Sequence, residues 1–536
     1  MPPWCALPAA ITTGALLVAA LGFYWDVATH IDDGRDPGPF ANPSHYLIIF
    51  GLFGIAVAGY VGLLLGSDDR DRVGVQIRSG WRAPLGAVLL MVCGTIALLG
   101  FPLDDVWHRL FGQDVTLWGP THIQMVGGAA LSTLALWVLI AEGIQSRAGT
   151  TGEVSPTTRR AFEISVGGAF LIGLSALQAE FDYSVPQFRL LFHPVMLAMA
   201  SAITLVVARI RVGRGGAIAA TLFFIAVRGL ISLFVGPGMD HTALHFPLYL
   251  VEAILVEVVA LRIGVDRALR FGVVAGALIG TVGVAGEWWW STVWMTMSWS
   301  AGLFPEIALA LLAAIAGGVL GAVIATALGG GSLERMPRWV APASGLALVA
   351  CLAYPLPIAT LDGSATIELD DPTASATAAT VTLDPPDLAD DALWLNVTAW
   401  QGGGSVVEPL EPIGEGRYRS VPIPISGEWK ALVRLHTGSA IVAVPIYLPA
   451  DPAIPAEGLP AEANTTRDFV ADKQILLREA KDTPQWMSVA GNGALGMIVI
   501  VWIAVLAWGL RRMAGDPPPR GTRKVAAAGV VGTGSG

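Results

Sequence analysis

Two stretches of this chain carry the same polar residues in the same order. The first reads Asp26-x3-His30-x3-Gly34-x-Asp36-x6-Pro43-Ser44-His45, and the second Asp104-x3-His108-x3-Gly112-x-Asp114-x5-Pro120-Thr121-His122. They lie 78 residues apart at the first Asp and 77 apart at the last His. An Asp and a His four residues apart share one helix face, and such a pair can offer two ligands to one metal ion, as HExxH sites do. Gly34 and Gly112 then turn the chain. Pro43-Ser44 and Pro120-Thr121 suit a helix start with Ser44 or Thr121 as N-cap, which puts His45 or His122 in the first helical turn. Each copy thus presents Asp, His and His from two neighbouring helices. Imidazole with carboxylate suits copper, zinc or non-haem iron, and no thiolate narrows the choice. Two other readings fit the same residues. One is a polar network between helices, with Asp36 and Asp114 capping turns. The other is haem held by paired histidines, against which the repeated Asp argues.

The elements that must hold these residues are membrane helices. The chain is 54% hydrophobic and 14% charged, with a mean hydropathy of +0.62; soluble domains carry roughly 25% charged residues. Apolar runs near the ~20 residues that cross a bilayer predict twelve spans, at about 5–27, 45–66, 83–103, 120–143, 161–179, 187–208, 216–235, 244–262, 271–289, 301–328, 339–359 and 487–510. Alternate loops and the C-terminal tail hold twenty Arg and Lys residues, among them Arg70, Arg72, Arg78, Arg82, Arg520, Arg523 and Lys524. The opposite short loops hold only Arg35, Arg109 and Arg189. By the positive-inside rule the basic side is cytoplasmic. Both termini are then inside, and seven of the eight histidines fall at the outer face of a plasma membrane. The first span lacks a basic leader and a small-x-small cleavage site, so it is expected to stay as a helix. Cys5, Cys93 and Cys351 lie in apolar runs and make no CxxC site.

Ionisable residues at membrane depth are costly and usually functional, so the remaining ones are candidates too. A third hairpin offers Glu180, Asp182 and His193 as further ligands. A fourth offers His241 and His245, again four apart, with Glu252 seven residues on, although Pro247 interrupts the face. Arg228 inside the seventh span is expected to pair with Glu252 or Glu257 and lock two helices; a proton or ion path is the functional alternative. Glu287 with Trp288, Trp289, Trp290, Trp294 and Trp299 reads as an outer aromatic belt or, alternatively, as a hydrophobic lid over an outer site whose cavity Glu306 would face.

Residues 1–359 form an eleven-helix block whose first eight helices pair as hairpins. Residues 360–484 alternate apolar and polar residues between turns at Gln401-Gly-Gly-Gly, Ile413–Arg417 and Ser426–Trp429, the pattern of a small antiparallel sandwich. The Asp/Ala/Thr/Pro-rich start of this region reads as a linker, and 466–482 as an amphipathic juxtamembrane helix. Residues 485–512 make the last span, and 513–536 a disordered cytoplasmic tail. The expected fold is an all-α polytopic membrane protein with an extracytoplasmic β-sandwich.

The Asp-x3-His pair followed by a second His resembles the membrane copper site of the particulate methane and ammonia monooxygenases. On that resemblance Asp26, His30 and His45, and Asp104, His108 and His122, would bind copper. The twelve helices and the duplicated motif depart from that subunit. The outer region, with Gly427–Lys430 leading into Val433–His436, resembles small sandwich domains of bacterial copper-handling proteins. It has one histidine, His436, and no Met, so it is not expected to hold metal itself. Taken together, the sequence points to metal acquisition, transfer or assembly at the outer face, with an extracytoplasmic metal donor or acceptor protein as partner. A copper-dependent membrane oxidase or monooxygenase is the alternative, and a purely structural role the third. No nucleotide motif, P-loop or catalytic triad is present, and no nucleic-acid partner is expected.

Overall fold

The computed structural model describes residues 1–34, 38–66, 74–112, 116–148, 150–357, 359–400, 404–452, 454, 456–477 and 481–515. Asp36, Asp114, Arg35, Arg70, Arg72, the glycine turn at 401–403 and the tail 516–536 with Arg520, Arg523 and Lys524 lie outside the described residues.

Helices stand in all twelve expected regions. They are α1 (Pro3–Asp32), α2 (Pro43–Leu64), α3 (Leu85–Phe111), α4 (Pro120–Gln145), α5 (Pro156–Ala176), the one-turn α6 (Ala179–Asp182), α7 (Phe192–Val212), α8 (Gly216–Met239), α9 (Leu250–Ile263), α10 (Ala268–Leu278), α11 (Val284–Trp294), α12 (Ala308–Leu328) and α13 (Val340–Ala353). A π-helical turn, Ile279–Gly283, joins α10 to α11. A short hairpin, β1 (Val75–Arg78) and β2 (Trp81–Ala83), leads into α3.

Among the described residues, nine helical stretches are long and apolar enough to cross a membrane: α1, α2, α3, α4, α7, α8, the α10–α11 stretch, α12 and the last helix. Three expected spans fall outside that set. α5 has the length but carries Arg159, Arg160 and Glu163 in its first turns. α9 and α13 have 14 residues each, about 21 Å of helix against a hydrocarbon core of about 30 Å. The expected span at 244–262 loses its first turns because residues 242–249 are not helical, and helix begins only after Tyr249, whose φ is +57°. His241 and His245 therefore do not share a helix face.

Lipid supplies no hydrophobic drive between helices, so they associate through close packing of small residues. α1 and α2 meet in this way: a Cβ on Gly51 would stand 2.5 Å from the Cβ of Ala19. α2 packs on α3, and α3 on α4. This up-and-down order brings the C-terminal ends of α1 and α3 beside the N-terminal ends of α2 and α4. Buried ion pairs fix other helices. Arg211 meets Glu163 at 2.5 Å and Arg209 meets Glu257 at 2.8 Å. Arg228, expected to pair with Glu252 or Glu257, instead meets Asp182 at 2.6 Å and also bonds the Tyr24 hydroxyl. The one-turn helix α6 places Asp182 within its reach, which sequence spacing did not reveal.

The region after α13 holds β3 (Ser364–Leu369), β4 (Ala376–Thr377), β5 (Ala379–Asp384), β6 (Ala392–Trp400), β7 (Ser405–Pro409), β8 (Glu411–Gly414), β9 (Arg417–Arg419), β10 (Ile423–Pro424), β11 (Lys430–Thr437), β12 (Ala440–Tyr447), β13 (Asn464–Asp468) and β14 (Val470–Ala471). Two five-stranded antiparallel sheets form, in the orders β14-β12-β11-β6-β7 and β13-β3-β5-β9-β8. Alternate residues point inward, so Val397, Val433 and Val444 share a core with Ile367, Val381 and Leu383. The stretch expected as a linker supplies β3 and β5, because its Ala, Ile, Val and Leu residues alternate with polar ones. Of the amphipathic helix expected over 466–482, the described residues show α14 (Asp472–Leu477), while 464–471 is taken by the edge strands β13 and β14; residues 478–480 lie outside the described residues. α15 (Gln485–Gly515) is the last helix. The sandwich rests on the helical domain through β11: Arg434 donates to Pro186 O at 2.8 Å, and Leu190 N donates to His436 Nε2 at 3.1 Å.

Candidate metal centre

The six repeated residues come together as two clusters of like geometry at one end of the helical domain. In the first, Asp26 Oδ1 lies 3.6 Å from His30 Nε2 and 2.9 Å from His45 Nε2. In the second, Asp104 Oδ1 lies 3.6 Å from His108 Nε2 and 3.3 Å from His122 Nε2. Within each cluster the three ligand atoms all lie within 4.8 Å of one another. Ligands held about 2.1 Å from a tetrahedral ion stand about 3.4 Å apart, so both triads fit a single ion with a fourth position left open. The six side chains are between 15% and 28% exposed, which leaves each centre reachable from the end of the bundle.

The helix ends explain how the repeat builds this arrangement. Asp26 and His30 lie one turn apart near the end of α1, as Asp104 and His108 do on α3. Gly34 and Gly112 both follow with φ of +85°, a backbone that a side chain would strain. In the first copy this turn aims Gly34 O at His30 Nδ1, 2.8 Å away. His45 Nδ1 meets Pro39 O at 2.7 Å, and His122 Nδ1 meets Thr116 O at 3.0 Å. A carbonyl can only accept, so these three Nδ1 atoms are donors and the Nε2 atoms are the ones turned to the carboxylate. An Nε2 lone pair facing a carboxylate oxygen at about 3 Å is repulsive, so the geometry calls for a positive species between them, a proton or a metal ion.

Ser44 and Thr121 do not act as N-caps. Asn42 caps α2, accepting from Ser44 N at 3.1 Å, and Gly119 precedes α4 without a side-chain cap. The two hydroxyls serve the carboxylates instead. Ser44 Oγ donates to Asp26 Oδ1 at 2.7 Å and Thr121 Oγ1 to Asp104 Oδ1 at 2.5 Å. Asn42 Nδ2 adds a further bond to Asp26 at 2.9 Å. Phe101, one turn before Asp104 on α3, packs edge-on against His45 with centroids 5.7 Å apart and so sits between the two hairpins. Asn42 was legible as an N-cap signal ahead of Pro43, but the carbonyl partners of the histidines carry no side-chain signature.

The other candidate ligands do not assemble. Glu180 is buried and accepts from Thr116 Oγ1 at 2.5 Å, Leu117 N at 2.7 Å and Gln187 N at 3.0 Å. Asp182 is taken by Arg228. His193 stacks on Phe181, and its Nδ1 accepts from Trp299 Nε1 at 3.1 Å. His241 Nδ1 faces Asp32 Oδ2 at 3.0 Å, and Asp32 also accepts from Thr242 N and Oγ1. Asp32, six residues beyond Asp26, gave no sequence signal because it is not one of the matched residues: its counterpart in the second copy is Leu110. His245 packs against Trp294, and Glu252 lies beside Gly283. Among the described residues only the two repeated triads meet the geometry of a metal site. His436 is fully buried in the sandwich; burial and the nearby Arg189 and Arg434 push its imidazole down to about 3.

Compared with family models, curated proteins and solved structures, the chain matches none.

Proposed function

We propose that this is a multi-pass plasma-membrane metal protein, with both termini cytoplasmic and two Asp–His–His centres at the outer face. Its role is the acquisition, transfer or assembly of a metal, copper first among the ions the ligands suit and zinc or non-haem iron next. One observation carries the reading: in both triads Nε2 atoms converge on one carboxylate oxygen, and three of the four imidazoles are fixed from behind through Nδ1. Three protein ligands with an open position and partial exposure suit an ion that is received and passed on. The repeated Asp that faces both imidazoles is a partner that paired haem ligands do not need, which argues against haem. The arginine bias places the clusters and the sandwich outside, where a soluble metal donor or acceptor protein could reach them.

A second reading, a copper-dependent membrane oxidase or monooxygenase, draws support from a cavity of about 120 Å³. Phe23, Ile48 and Met125 line it, one turn inward from Asp26, His45 and His122 respectively.

The test is elemental analysis of the purified full chain beside His30→Ala, His108→Ala and the double variant. Each single variant should lose about half of the bound metal and the double variant nearly all, because two remaining ligands hold an ion poorly. A parent that holds no metal, and takes up none from added copper, zinc or iron, would refute both readings. Oxygen consumption with an added reductant, lost in the same variants, would favour the enzyme.

A further inference from the structure

We propose that Glu252, beside Glu287, is a proton-binding site within the helical domain, separate from the two metal centres and independent of whether they hold metal. The case begins at the start of α9. Tyr249 is the N-cap and Glu252 stands at the third helical position, from which a Glu ordinarily reaches back to the N-cap N–H. That donor is already occupied. Glu287, from α11, accepts from Tyr249 N at 2.5 Å and from Leu248 N at 3.3 Å.

Displaced from its usual partner, Glu252 turns against the π-helical turn. A Cβ on Gly283 would stand 2.9 Å from Glu252 Cγ and 3.2 Å from its Oε1, so glycine is what admits the carboxyl there. Such turns recur at functional sites. Glu252 has no solvent exposure, and neither of its carboxyl oxygens has a hydrogen-bond partner on another described residue.

The charged and titratable groups on the packed elements do not relieve it. Arg209 and His193 on α7 are engaged by Glu257 and Trp299, and Arg228 on α8 by Asp182. Arg270 lies in the first turn of α10, at the far end of that helix from Gly283. Glu257, on α9 itself, serves Arg209 and the N–H groups of Gly215 and Ala217. The group that faces Glu252 is Glu287, another carboxylate. A lone buried carboxylate is strongly penalised by the loss of its hydration, and a second one beside it adds repulsion. A bound proton removes the charge and supplies an O–H donor. Glu287, holding two backbone donors, is the better placed of the two to carry a charge.

Dicyclohexylcarbodiimide dissolves in membranes and adds to protonated carboxyl groups, so it reads this state directly. The purified full-length protein should form the adduct at Glu252 at neutral pH, located by peptide mass, and the yield should fall as pH rises. Sodium or potassium at fixed pH should not change it. Labelling should persist in the His30→Ala, His108→Ala double variant, which separates this site from the metal reading. Glu252→Gln should abolish the adduct and remove a protonated-carboxyl band from the infrared spectrum; should that variant not fold, adduct mapping and the pH course of the parent decide. An adduct confined to Glu287, suppression by sodium or potassium, or no adduct together with no protonated-carboxyl band would each overturn the proposal.

Discussion

Replacing Thr121 by Val removes one hydroxyl and keeps the side chain's shape, which isolates what that hydroxyl does for Asp104. The bond it donates is 2.5 Å long and ends on the oxygen that faces both imidazoles. In the first cluster the same task is shared: Ser44 at 2.7 Å and Asn42 at 2.9 Å both reach Asp26 Oδ1. Partners that orient a metal ligand are typically worth 10–100-fold in affinity, roughly 1.4–2.7 kcal/mol. Thr121→Val should fall within that range at the second centre, because no other described side chain outside the triad bonds Asp104. Ser44→Ala should cost less, on the order of several-fold, since Asn42 remains. Titration of the apo protein with copper against a chromophoric chelator would resolve two classes of site, and His30→Ala or His108→Ala backgrounds would assign them. Equal losses in the two variants, or no loss in Thr121→Val, would refute the assignment of the hydroxyls as carboxylate-orienting groups.

Three further outcomes are expected. Protease added to sealed spheroplasts should cut within 360–484 and spare the 67–82 loop; cleavage of that loop in sealed membranes would invert the topology. His436→Ala should leave bound metal unchanged, since His436 is buried among sandwich and loop residues remote from the triads in sequence and bonding. The same histidine is held down to about 3 in the folded protein against about 6.5 unfolded. Its contribution is therefore intact above about pH 6.5 and lost as pH falls toward 3, at up to about 1.4 kcal/mol per unit, so a melt of the parent against His436→Leu should converge at low pH. Asp182→Asn should destabilise the protein by about 3–5 kcal/mol, because it leaves Arg228 buried and uncompensated; adding Arg228→Met should restore much of the loss in detergent-solubilised denaturation.

The helical positions were legible because an apolar run long enough to cross a bilayer has few other fates. The six triad residues were legible because a repeat of polar residues in an apolar chain stands out against its background. Three things were hidden. The break before Leu250 depends on backbone at Tyr249 and on a carboxylate from α11, neither of which leaves a periodic trace. The pairing of Arg228 with Asp182 spans 46 residues, and spacing along one chain says nothing about which of several acids will arrive. The strands β3 and β5 looked like linker because the stretch that contains them is rich in Asp, Ala, Thr and Pro, although their inward positions alone decide whether they join the core.

Thr116 faces two ways. Its carbonyl holds the His122 ring in place, and its hydroxyl is gripped by Glu180, which also takes Leu117 N and Gln187 N. Gln187 belongs to the segment that β11 of the sandwich clasps at Pro186 and Leu190. A push on the sandwich thus has a short mechanical route to the second histidine triad, through five residues of which only Glu180 lies on a helix, the one-turn α6. The carbonyls that set His30 and His45, those of Gly34 and Pro39, belong to the loop between α1 and α2. Two triads of the same residues are in this way tied to different parts of the molecule, so a protein docking on the sandwich would pull unequally on the pair, and on the proposed function an ion held alike by both at rest would acquire a direction.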